Sequence, residues 1–153
     1  MSLVKFVEEM KKSLVIHAVA AHFSNGLIPV AVLYLIFTLL TGSAFYEHTV
    51  LHLLVIVLLA VPVSFISGIL DWKRKYKGAK APIFIKKIRL AIALSVLAVI
   101  ATAVRLFVPS VAEQSGPLFW GYSAILFAML PVVVLLGHYG GKLSESQRQE
   151  KFR

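Results

Sequence analysis

The sequence predicts an all-α integral membrane protein, a four-helix bundle with an N-terminal amphipathic interfacial helix ahead of it. Composition is the first reason. Of 153 residues, 59% are hydrophobic and only 15% are charged, with a mean hydropathy of +0.85, against roughly 25% charged in an average soluble domain. The second reason is four long apolar runs, each near the ~20 residues that a membrane core demands. The third is charge placement: Lys and Arg gather beside those runs and almost entirely on one side of them. No long polar linker interrupts the chain, so it reads as one domain.

Residues 1–15 precede the first span. Leu3, Phe6, Val7, Met10 and Leu14 recur at helical spacing, with Lys5, Glu8, Glu9, Lys11 and Lys12 on the other side. That pattern predicts a helix lying in the interface plane or packed on a partner. Acidic residues break its basic region and no small-residue cleavage site follows, which argues against a signal peptide. The spans are predicted at 16–40, 49–70, 88–108 and 118–138, with 139–153 as a tail. They are helices because period-2 alternation is absent and lipid does not tolerate open irregular backbone. Pro29, Pro62 and Pro131 lie inside three of them and are expected to bend them locally. Such bends either make room for a cofactor or are prolines of the kind membrane helices tolerate.

Orientation follows from the connections. The segment from Asp71 to Arg89 is strongly basic, as are both termini, whereas 41–48 and 109–117 hold Glu47 and Glu113 and no Lys or Arg. All of the 16 Lys and Arg residues except Arg105 therefore fall on one side, which places both termini and the basic connection in the cytoplasm of a prokaryotic inner membrane. The same distribution explains the net charge of +9 without invoking nucleic acid. Beyond topology, the basic connection could dock an acidic soluble partner. The absence of cysteine excludes disulfides, cysteine-ligated iron–sulfur clusters and covalently attached c-type haem.

Ionisable residues inside hydrocarbon are functional-site candidates, and His17, His22 and His138 are the ones that stand out. In an up-down arrangement His22 lies about 27 Å below Leu40 and His138 about 30 Å below Leu118, at ~1.5 Å per residue. His17 would lie deeper by about 7.5 Å, a difference that tilt can reverse. His17 and His22 are about 140° apart around a helix, so they cannot both point at one metal. The level match predicts a non-covalent b-type haem held by His138 and by His22 or His17, against the alternative of hydrogen-bonded interior histidines. Two imidazoles on one iron leave no open position, which suits electron transfer. Gly137, Gly140 and Gly141, like Ala18, Ala20 and Ala21, are small enough for a macrocycle to approach, although Gly140-Gly141 also reads as a helix cap.

His48 and His52, spaced i, i+4 beside Tyr46 and Glu47, form a candidate quinone or proton site, or else an interfacial pair wetted by headgroup water. Arg105 is expected to snorkel, with Glu113, Glu47, a haem propionate or a lipid phosphate as its counter-charge. Asp71 sits where a helix dipole disfavours it and so asks for a partner, either a lysine of the basic connection or His17 and His22. Trp72 reads as an interfacial anchor, and a carboxylate such as Asp71 on a ligating imidazole would be the functional version of the pair.

Three motifs carry a resemblance: His17-x4-His22-Phe, Ser67-Gly-Ile-Leu-Asp71-Trp72, and Gly137-His138-Tyr-Gly140-Gly141-Lys-Leu143. Together they resemble the domain-of-unknown-function family of small four-helix bacterial membrane proteins suspected to be b-type cytochromes. The likeness runs from about residue 14 to 143. It implies the four-helix fold and, less directly, haem. Where that family carries prolines this chain has Ala18 and Ser24, and where the family commonly has a histidine at the start of helix three this chain has Lys86, Lys87 and Arg89. One haem, or a second with different ligands, is the resulting expectation. The predicted function is a membrane subunit or homo-oligomer passing electrons between quinone and a redox partner. The alternative is a non-redox anchor or assembly subunit.

Overall fold

A computed structural model describes residues 15–78, 80–112 and 116–151. Four helices carry the fold: α1 (Val15–Thr41), α2 (Ala44–Lys75), α3 (Pro82–Phe107) and α4 (Pro117–Lys151), with a short 3-10 helix at Pro109–Ala112 before α4. Apolar segments of 25, 31, 26 and 27 residues within them each exceed the ~20 residues needed to cross a bilayer core. The chain is thus a multi-pass membrane protein. The expected interfacial helix at 1–15 falls almost wholly outside the described residues.

The first connection is much shorter than the sequence suggested. Gly42 takes a left-handed φ of +66° and its N–H donates to the Thr38 carbonyl at 2.8 Å, the way a glycine closes a helix. Ser43 then caps α2, its side chain accepting from Phe45 N–H at 3.3 Å. Two residues therefore turn the chain, and Glu47 and His48 belong to the start of α2 rather than to a loop. At the other end α2 runs on to Lys75, so Asp71 lies inside the helix. The Trp72 carbonyl accepts from both Tyr76 and Gly78 N–H, and left-handed Lys77 and Gly78 turn the chain toward α3. Pro82 starts α3, where its missing N–H costs nothing.

Helix α4 also overruns its predicted end. Gly140 and Gly141 are interior to it and do not cap it, so the capping reading is corrected: the helix simply continues into residues that sequence logic assigned to a tail. Pro29, Pro62 and Pro131 each sit inside one uninterrupted helix.

Short turns make consecutive helices antiparallel. Each helix packs on its sequence neighbours and α1 also packs on α4, closing a ring. The interior is filled by Ile28, Val32 and Leu35 of α1, Val50, Leu54 and Val57 of α2, Leu94, Ala98 and Ala101 of α3, and Tyr122, Leu126 and Met129 of α4. Alanines on α3 let the backbones approach closely, which matters in lipid because helix association there rests on packing and not on expulsion of water. Large apolar side chains such as Val19, Phe23, Leu33, Leu59, Ile66 and Val134 cover the outside, as a lipid-facing surface requires. Hereafter the basic end is the one with the α2–α3 turn, and the far end is the one with the Gly42–Ser43 turn.

Candidate functional site: two buried polar clusters

Polar side chains enter the bundle at both ends of α2. At the far end Glu47 is completely buried. Its Oε1 accepts from Arg105 Nε at 2.6 Å and from the Tyr122 hydroxyl at 3.2 Å. Arg105 is only 6% exposed, and its Nη1 also donates to the Pro109 carbonyl at 3.0 Å. One carboxylate thereby ties α2, α3 and α4. This is the one ion pair among the described residues. It corrects two expectations. Arg105 does not snorkel to the interface, because an internal carboxylate stabilises it in place. Nor is it at hand for a haem propionate near His17, His22 or His138, which lie at the opposite end. Glu47 Oε2 and the Ser123 hydroxyl are buried without a hydrogen-bond partner among the described residues.

The candidate quinone or proton cluster is divided by the same geometry. Glu47 points inward, whereas His48 and His52 have exposed side chains on the outer face of α2. Tyr46 is half-buried in an aromatic group with Tyr34, Phe37 and Phe45 at centroid distances of 5.6–6.3 Å. These four residues therefore do not converge on one point.

At the basic end the inward imidazole is His17. It lies seven residues before Ser24 and so on the buried face of α1, about 20° from it by helical rotation. Its Nδ1 is 3.0 Å from the Ser64 carbonyl and 3.2 Å from Ser67 Oγ. A carbonyl only accepts, so Nδ1 carries a proton and donates, and in the neutral ring Nε2 keeps its lone pair. No described residue hydrogen-bonds that Nε2. The ring rests on Gly68: a Cβ there would stand 2.9 Å from His17 Cε1 and 3.3 Å from Nδ1. Asp71, Lys87 and His22 are close enough to interact with the ring electrostatically, and Asp71 Oδ2 is buried with no hydrogen-bond partner among the described residues. Trp72 packs on Phe84 at 6.1 Å between centroids, with Tyr76 on the same ring at 4.7 Å.

His22 and His138 are placed differently. Both are exposed. His22 is two residues from buried Ser24, about 160° around α1, and His138 is five residues past buried Val133, about 140° around α4. They face away from the bundle axis, so the level match does not bring them together across the interior. Gly137 is exposed with open space where a Cβ would stand, while the missing Cβ of Gly140 lies 3.9 Å from Lys87 Nζ.

Sequence reasoning had Ser67, Gly68 and Asp71 as a motif, with His17 among the partners offered to Asp71, but missed Ser64 and the single face they form to receive His17. Ser64, Ser67, Gly68 and Asp71 are spaced i, i+3, i+4, i+7, a small and polar face on an otherwise apolar helix. That periodicity was the available signal. Nothing comparable marked Tyr122, whose role depends on a carboxylate 75 residues away.

What the fold and these clusters define is a four-span membrane protein whose interior polar groups knit helix to helix at both ends. No protein-family model matches the chain, and comparison with curated proteins and with solved structures finds no match.

Proposed function

We propose that this chain is a membrane-anchoring subunit that works through a partner, either a larger complex or a second copy of itself. It would sit in a prokaryotic cytoplasmic membrane with both termini inside, the orientation that the one-sided Lys and Arg support. The carrying observation is the outward placement of His22 and His138. Imidazoles near the edge of hydrocarbon gain little from lipid tails and favour a polar partner, while the inward polar groups are largely used in holding the four helices together. Size-exclusion chromatography with light scattering, in mild detergent from native membranes, tests this. A mass well above the 16.9 kDa of one chain is expected, reduced to one chain by His22→Leu with His138→Leu. A wild-type protein that runs as a single chain overturns the reading.

Electron transfer is the second reading, and His17 is what favours it. Imidazoles that ligate metal usually donate their other ring N–H to a carbonyl or carboxylate, and His17 does this to Ser64 with Nε2 left over. The fit to a b-type haem is partial, since the two further imidazoles face outward and a second ligand would have to come from the bundle's flank or from another copy. A haem with two imidazole ligands supplies one-electron transfer, here between quinone and a redox partner. Dithionite-reduced protein with an α-band near ~560 nm supports this reading, with His17→Ala removing the band and Gly68→Ala shifting it. A colourless protein counts against it and leaves the anchoring role standing.

A further inference from the structure

We infer that the basic end carries a seat for one anionic phospholipid headgroup between α3 and α4, its phosphate oxygens held by the ammonium groups of Lys86 and Lys87. Consecutive lysines of α3 reach consecutive residues of α4. Lys86 Nζ lies over the Tyr139 ring at 5.8 Å from its centroid, and Lys87 Nζ sits beside Gly140, 3.9 Å from where a Cβ would stand. Lys87 is half-buried, and neither lysine has an ion-pair partner among the described residues, where the single pair is Arg105 with Glu47 at the opposite end. A partly desolvated ammonium with no ion-pair partner among the described residues favours an anion.

Depth decides which anion. Lys87 is five residues into α3, about 7.5 Å from its start. That level matches a headgroup phosphate, and basic recesses between membrane helices are where such headgroups bind. A soluble acidic protein would instead meet Lys73 and Arg74 at the end of α2 and Lys77 and Lys80 on the turn, all exposed. The seat also gives the Tyr139-Gly140 pair a role: the tyrosine face steadies one ammonium and the other stands beside the glycine, at a distance that leaves room for the headgroup oxygens.

Native mass spectrometry of the full chain in detergent, titrated with phosphatidylglycerol, phosphatidylcholine of the same acyl chains, or inorganic phosphate, tests the seat. One phosphatidylglycerol per chain is expected to bind, with phosphatidylcholine and inorganic phosphate much weaker. Lys86→Gln and Lys87→Gln should each weaken retention about fivefold, and Lys87→Arg should keep it within about twofold, which separates lost charge from lost fold. The control removes equal charge elsewhere: Lys73→Gln with Arg74→Gln should change retention less than about twofold. Equal loss in the control shows a diffuse basic surface of the kind a soluble partner reads, and overturns the seat. Equal binding of phosphatidylcholine or of free phosphate overturns it as well.

Discussion

Truncating Glu47 while leaving Arg105 in place separates a charge lock from an ordinary interhelical hydrogen bond. Two unit charges about 4 Å apart attract by about 4 kcal/mol at an effective dielectric of about 20, and taking both out of water costs several kcal/mol each. The intact triad therefore contributes little net stability. A single truncation has no such cancellation. Glu47→Ala takes the carboxylate away from a guanidinium that is 6% exposed and strips Tyr122 of its acceptor, for an expected loss of about 3–5 kcal/mol. Arg105→Met strands the fully buried carboxylate and should cost a similar amount. Glu47→Met combined with Arg105→Met removes both charges and should be less destabilised than either single variant, giving a coupling of at least ~2 kcal/mol. The assay is reversible unfolding in mixed micelles with rising dodecyl sulfate, followed by helical circular dichroism. Interhelical hydrogen bonds in membrane proteins average about 0.6 kcal/mol and reach about 1.7. Single variants that stay below that ceiling, with an additive double, would refute the charge-lock argument.

At the basic end Gly68→Ala should lower stability by about 1–3 kcal/mol in the same assay, because the new methyl meets the His17 ring at 2.9 Å. His17→Ala with Gly68→Ala should recover part of that loss, and no recovery would mean that the glycine serves something other than the ring. Gly42→Ala places a side chain at φ +66° and should cost about 1–2 kcal/mol, while Ser43→Ala removes the cap of α2 for about 1 kcal/mol. Their sum within a few tenths of a kcal/mol would be surprising, since adjacent residues of one turn share a conformation. His48→Ala with His52→Ala, on an exposed face, should shift the unfolding midpoint by less than about 0.5 kcal/mol. A larger shift would place these rings in a contact that one chain alone does not make.

How far the sequence could be read depends on the range of each signal. Four spans and their alternating direction were legible because hydropathy and Lys and Arg placement act over twenty residues at a time. Helix ends were less so. Runs such as Ala44 to His48 and Tyr139 to Leu143 lose their apolar character before the backbone stops being helical, so α2 and α4 outlast the hydrophobic pattern at their ends. Histidine depth was estimated from count alone, and count carries no rotation. His17 lies in the phase of Ser24, Ile28, Ala31 and Leu35, whereas His22 lies opposite it, and laying the 3.6-residue period over the buried residues would have told them apart. Glu47 was one of the counter-charges the sequence offered Arg105, because both lie on the same side of the membrane, but Tyr122 joins them from 75 residues away and no local pattern announces that meeting.

The position of the two clusters bears on how a bundle with a mostly apolar middle acquires a single register. Between lipid-solvated helices a slide of one turn, about 5.4 Å, exchanges one apolar contact for another at little cost, since no water is expelled either way. Polar contacts remove that degeneracy. Relative to α2, helix α1 is fixed at the far end by the two-residue turn and at the basic end by His17 on Ser64 and Gly68. Helices α3 and α4 are fixed at the far end by Arg105 and Tyr122 converging on one Glu47 oxygen. Sliding α3 by a turn would part Arg105 from Glu47, and sliding α1 would drive the His17 ring off the only glycine of that stripe. Helix α2 is thus the reference against which the other three are set. At the basic end the polar ties between α3 and α4 among the described residues are Lys86 on Tyr139 and Lys87 beside Gly140, weaker than the Glu47 triad. This is where an anionic headgroup would do the most to complete the bundle, and where its removal should loosen α3 and α4 before α1 and α2.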